Sequence, residues 1–230
     1  MEPTHSSQDN FAEQLRGFGP LGILAIIIIL LTGNIFIGNM FVLPVGALLV
    51  LAWVKMSGTP WRRVGYAKPK RWLITIAGGI AFGIALKFLM KAILMPLFGA
   101  DPINQTYHFL AGNKALLPAA IWTMLAAGFG EETVFRGYLF ERLGKLFGAG
   151  RARKLLIVLI TSIFFGLAHY NNQGVTGVEQ ATITGLVFGT IFASTRSIWF
   201  VMIAHAAFDL TALGMIYYNL EVGVAHFFFK

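Results

Sequence analysis

A chain of 230 residues, 57% of them hydrophobic and only 12% charged, cannot cover the surface of a soluble domain with polar groups, because soluble domains carry about one quarter charged residues. Its mean hydropathy is +0.71. Disordered and collagen-like classes are excluded by the apolar content and the lack of a Gly-X-Y period, and the absence of cysteine rules out a disulfide scaffold, a thiol nucleophile and a Cys-ligated metal. The net charge of +8 would raise nucleic-acid binding in a soluble protein. In a membrane protein, basic residues gather in cytoplasmic loops instead, and no nucleic acid is needed to explain them. The expected fold is all-α: a polytopic transmembrane bundle of about seven spans, in the plasma membrane, with the N-terminus cytoplasmic.

Residues 1–17 read as a cytoplasmic tail. It holds Glu2, Asp9 and Glu13 against a single Arg16, so it is no secretory signal. From Arg16 to Lys55 no charge interrupts about 38 residues, where one span needs about 20. Two spans are therefore expected, near 18–33 and 36–54, with a break among Gly33, Asn34, Gly38 and Asn39. The aliphatic run Ile26 to Leu31 suits a lipid-facing helix. Lys55 to Arg71 then carries six cations and no acid, which marks the inside. A third span, about 72–98, contains Lys87 and Lys91 on one helix face. They are expected to snorkel towards the far interface, or else to pair with a buried acid. Residues 18–114 thus form an N-terminal set of helices with a basic loop.

Residues 115–220 form the expected catalytic core. A fourth helix runs from Ala115 through Glu131-Glu132 and Arg136 to Phe147, where Gly148-Ala149-Gly150 breaks it. A second inside cluster follows at Arg151, Arg153 and Lys154. The fifth span covers Leu155 to about Tyr170, the sixth about 180–195, and the seventh Ile198 to Leu220, with Arg196 at an inside turn. Residues 221–230 are a short tail. No internal repeat is present.

Ionisable residues within spans cost several kcal/mol unless paired or wetted, so they are functional candidates. Glu132 and Arg136 are four apart and can pair on one helix face. Glu131 points about 100° away, outside that pair. Neighbouring carboxylates in an apolar setting do not both ionise easily. Arg136 would hold one of them charged, leaving the other to act as a general base. The midpoint of residues 132 and 169 falls at the Gly148–Gly150 break. In an antiparallel hairpin His169 should then lie level with the glutamates. His205 and Asp209 share one face of the last span. His205 lies nine residues from the Arg196 turn, or about 14 Å into the bilayer. Such a set could hold and deprotonate a water and stabilise an oxyanion. Glu, His, His and Asp could alternatively hold a zinc ion with an open position.

In order, Glu131-Glu132-x-x-x-Arg136, Phe165-x-x-x-His169 and His205-x-x-x-Asp209 resemble the CPBP family of type II CAAX prenyl proteases and bacteriocin-processing (Abi) membrane proteins. Trp61 to Trp72 is more weakly similar to the loop that precedes this domain. The resemblance implies an intramembrane endopeptidase acting on a protein or peptide substrate within membrane lipid. It implies that Glu131 activates water with help from His169. His205 and residue 209 would form the oxyanion site, and Glu132 with Arg136 would support the motif helix. No cofactor is implied, with zinc as the alternative. Asp209 stands where the eukaryotic branch has Asn, and an ionised Asp cannot donate to an oxyanion. A non-catalytic scaffold or immunity protein on the same fold is a further reading. A small transporter ranks below it, since no paired halves are visible.

Overall fold

The computed structural model describes residues 7–32 and 42–229, and all regular structure among them is helical, with no strand. Helix α1 (Ser7–Arg16) meets α2 (Pro20–Leu30) at a bend of 59°. Pro20 opens α2, where its missing N–H costs no hydrogen bond. Within the aliphatic run, Ile27, Ile28 and Leu31 are exposed while Ile29 is buried. The break expected among Gly33, Asn34, Gly38 and Asn39 lies outside the described residues.

Helix α3 spans Val42–Met56. A 3-10 turn at Trp61–Val64 ends on Gly65, whose positive φ of 85° suits a residue without Cβ. Helix α4 (Trp72–Leu89) runs through a π-helical turn, Met90–Leu94, into the short α5 (Met95–Leu97). Leu73, Ile76, Ile80 and Ile84 form an exposed apolar stripe on α4 at helical spacing. Helix α6 (Leu117–Glu132), a π-helical segment Thr133–Leu139 and α7 (Phe140–Phe147) follow one another without a break. Helix α8 is Arg151–Leu167. Helix α9 is Tyr170–Thr195, so it starts well before the sixth span expected at about 180–195, and it is kinked at Gly174 (φ 61°, ψ −156°). Helix α10 is Ile198–Tyr217, and α11 is Glu221–Ala225.

Among the described residues, three helices are long and apolar enough to cross a membrane: Trp72–Leu97, Tyr170–Thr195 and Ile198–Tyr217. The bent α1–α2 pair would make a fourth if it counts as one span. This is fewer than the seven expected. Val45–Met56 is a shorter apolar helix and α8 has only 17 residues.

Helix α10 is held between α4 and α6, and α8 pairs with α9. Two glycines set how close these helices come. A Cβ on Gly83 of α4 would stand 2.1 Å from the Ala204 carbonyl oxygen, and one on Gly128 of α6 would stand 2.6 Å from the Ala206 nitrogen. The small residues around His205 are therefore gripped from both sides, as is usual where helices pack in lipid. Beneath them Phe188, Phe192, Val201 and Met202 fill the core.

The turns sort to two ends. The Ile198 amide donates to the Gly65 carbonyl (3.1 Å), joining the basic 55–71 loop to the start of α10. At the other end the Thr106 hydroxyl donates to the Asn172 carbonyl (3.1 Å), and the Asn104 amide donates to Glu221 (3.0 Å). Lys91 forms an ion pair with Glu221 at 3.2 Å, so it pairs with a buried acid. Lys87 donates to the neutral Gln180 Oε1 at 3.0 Å.

Candidate active site

The glutamate motif lies where α6 passes into its π-helical segment. Glu132 and Arg136 are sealed, at 0% and 1% side-chain exposure, and Arg136 Nη1 donates to Glu132 Oε1 at 2.8 Å. This is the four-residue pairing that the spacing predicts. Arg136 Nη2 also donates to the Gly185 carbonyl of α9 (3.3 Å), and its guanidinium lies 4.6 Å above the Phe165 ring. Either charge alone would be stranded in an apolar interior, so each requires the other. π-helical turns inside α-helices recur at functional sites, because the widened turn re-aims its side chains.

His205 of α10 connects this pair to the rest of the site. Its Nδ1 lies 2.8 Å from Glu132 Oε1. A carboxylate only accepts, so Nδ1 carries the proton and donates. The opposite ring nitrogen, Nε2, stands 3.5 Å from Asp209 Oδ2 and 3.8 Å from Glu131 Oε2. The ring packs against Phe188, with centroids 5.4 Å apart. Glu132 and Arg136 thus lie behind His205, while Glu131 and Asp209 stand before it.

His169 sits at the junction of α8 and α9. Its Nδ1 is 2.8 Å from the Phe165 carbonyl, which can only accept. In the neutral ring Nε2 is then the acceptor. The Phe165 ring touches His169 (centroids 4.8 Å), His205 (5.9 Å) and Phe135 (5.0 Å), so the phenylalanine of the second motif packs among all three motifs. A cavity of about 250 Å³ is lined by Glu131, His169, His205 and Asp209, together with Tyr107 and Lys87. His169 shares it with Glu131, as the hairpin argument expects. Glu132 and Arg136 do not line it.

Zinc would need at least three converging His, Asp or Glu donors. No such group is found among the described residues. Glu132 Oε1 and His205 Nδ1 are engaged with each other, and His169 Nδ1 with a carbonyl, which leaves Nε2 of each ring facing the cavity.

Several residues at the site escaped the sequence reading. Tyr107, from the loop after α5, lines the cavity; its hydroxyl accepts from Gln173 Nε2 (3.4 Å). Burial, reinforced by the charges of Asp209 and Glu131, pushes its pKa up and keeps the phenol protonated. Nothing in the sequence around Tyr107 signals this. Gly185 and Phe188 were equally silent, being ordinary residues of an apolar helix. Tyr66 of the basic loop meets Thr133 Oγ1 at 2.7 Å. That hydroxyl already donates to the Phe129 carbonyl (2.7 Å), so Tyr66 is the donor. The loop is thereby fixed beside Glu132.

Apolar helices enclosing a carboxylate–histidine cluster point to an integral membrane protein. Residues 113–211 match the family model described as type II CAAX prenyl endopeptidase Rce1-like. This is the family that the three motifs resemble, and the matched stretch contains all six candidate residues from Glu131 to Asp209. It covers a little under half of the chain. No curated protein and no solved structure matched in the same comparisons.

Proposed function

We propose that this protein is an intramembrane endopeptidase in which Glu131 activates a water molecule. The observation that carries this reading is the single cavity bordered by Glu131, His169, His205 and Asp209, with Glu132 and Arg136 fixing His205 from behind. The water would lie between Glu131 and His169. Its oxygen attacks the scissile carbonyl carbon while its proton passes to Glu131. His205, carrying a second proton on Nε2, would donate to the oxyanion that forms. The intermediate collapses by breaking the C–N bond, and Glu131 returns the proton to the leaving amine.

Asp209 is better suited to orienting His205 Nε2 than to donating a hydrogen bond itself. Tyr107 keeps its phenolic proton and faces the same cavity, which makes it a candidate second donor to the oxyanion. The substrate would be a protein or peptide segment drawn from the surrounding lipid. A smaller cavity shares Lys87, Asn104, Gln173 and Gln180 with the main one, so the two form one groove. Lys87 at their junction would favour an acidic group on the substrate.

A plasma-membrane location with the N-terminus cytoplasmic is proposed from the basic turns gathered at one end. The helix α6–α7, the 17-residue α8 and the bent pair α1–α2 would bring the span count near seven.

The test is cleavage of a peptide library by the purified full chain and by its Glu131→Gln variant. Wild-type cleavage that Glu131→Gln abolishes supports the reading; equal cleavage by both rejects it. Activity that survives a chelator supports water activation by the glutamate, and its loss would favour zinc.

A further inference from the structure

Four cations from four separate segments surround a cavity of about 480 Å³ at the basic end of the bundle. Arg63 comes from the 3-10 turn, Lys145 from α7, Lys154 from the first turn of α8, and Arg196 from the turn between α9 and α10. All four are exposed. One acid, Glu141, also lines the cavity, but its Oε2 accepts from Arg142 Nε at 2.7 Å. The cavity therefore keeps an excess of positive charge. Phe140, Ile157 and Ala193 line it with apolar surface.

Local structure adds to the imbalance. Helix α8 starts after Gly150 with no side-chain cap and no acid in its first turn, which instead holds Arg151, Arg153 and Lys154. A helix N-terminus carries partial positive charge and favours anions. Cations placed there raise the electrostatic energy, and an anion in the cavity would lower it. Arg196 is held in the left-handed region (φ 55°), and its Nη2 donates to the Arg63 carbonyl at 3.3 Å. The two arginine-bearing segments are thus tied together at the cavity. A topogenic role explains why basic residues lie at this end. It does not require four of them to converge on one recess with an apolar lining.

We propose that this cavity binds the phosphodiester headgroup of an anionic membrane phospholipid. The phosphate would lie among Arg63, Lys145, Lys154 and Arg196, where guanidinium and ammonium donors suit its oxygens. The glycerol and first methylenes would lie over Phe140 and Ile157. Basic recesses between helices at a cytoplasmic face suit such headgroups. The inference is independent of the protease reading.

The full chain, held in phosphatidylcholine nanodiscs, is titrated with short-chain phosphatidylglycerol and, separately, with inorganic phosphate. Arg63→Gln/Lys154→Gln is the test variant, since neither side chain has a hydrogen-bond or ion-pair partner among the described residues. Lys68→Gln/Lys70→Gln removes the same charge from the neighbouring loop, outside the cavity. Saturable phosphatidylglycerol binding that weakens about tenfold or more in the cavity variant, and little in the control variant, is expected for charge-assisted contacts. Equal weakening in both variants would show diffuse surface attraction and overturn the site. Unchanged binding in the cavity variant would overturn it as well. Inorganic phosphate that binds as tightly as the lipid would identify free phosphate as the ligand and sink the lipid assignment.

Discussion

Glu132, Arg136 and His205 are nearly closed to solvent, and Arg136 and His205 are both bonded to Glu132. Arg63, Lys145, Lys154 and Arg196 are exposed, share one sign and surround an open recess. The contrast follows from the medium. In the apolar centre a lone charge costs several kcal/mol, so charges there come with partners already in place. At the water-facing end, solvent screens like charges and allows them to accumulate. The inner cluster is therefore internally balanced around its cavity, and the outer one is left to be balanced by something else.

The largest expected effect lies in the inner cluster. Glu131→Gln removes the proposed base while nearly keeping the shape of the side chain. Cleavage should fall by about a thousandfold, with the unfolding midpoint in detergent close to wild type. Next is Arg136→Met, which strands the Glu132 charge. A stability loss of about 3–5 kcal/mol is expected, read by thermal or denaturant unfolding. Arg63→Gln in the same assay should be nearly neutral. If the two substitutions cost the same, the contrast between inner and outer charges fails.

Gly83→Val tests the packing that frames His205. Its Cβ would meet the Ala204 carbonyl oxygen at 2.1 Å, and overpacking of this kind costs about 1–3 kcal/mol. Activity should fall along with stability, because α10 carries His205. Asp209→Asn is expected to change cleavage less than about tenfold, since an amide can still hold His205 Nε2 through its oxygen or donate to the oxyanion itself. A loss as large as that of Glu131→Gln would give Asp209 a direct part in the chemistry. The smallest effect is expected from Lys87→Met: little change for neutral peptides, and a few-fold loss of preference for substrates with an acidic group beside the cleavage site. Measured kcat/KM on paired neutral and acidic peptides checks it.

How far the chain could be read follows from these same energies. An apolar composition with sparse charge dictates a helical membrane bundle, since only helices and closed barrels satisfy their backbone in lipid. The six candidate residues were legible because an ionisable group within an apolar run is conspicuous, and the Glu132–Arg136 pairing follows from helix geometry alone. The turns at Gly148–Gly150 and Arg196 were also visible. The seven spans expected are not confirmed by the three helices that pass on length and hydropathy, two measures that do not tell a short or bent crossing helix from one that stays within the bundle.

What only the tertiary structure decided is which group faces which. The sequence could place Glu132 beside Arg136, but not show that Glu132 also accepts from His205, 73 residues away. Nor could it show that Tyr107 reaches the cavity, that Lys91 meets Glu221 while Lys87 turns to Gln180, or that four scattered cations share one recess. Pairings along one helix are set by a fixed period of 3.6 residues and can be counted. Pairings between helices depend on how closely glycines such as Gly83 and Gly128 let the backbones approach, and on the angles at which they then cross.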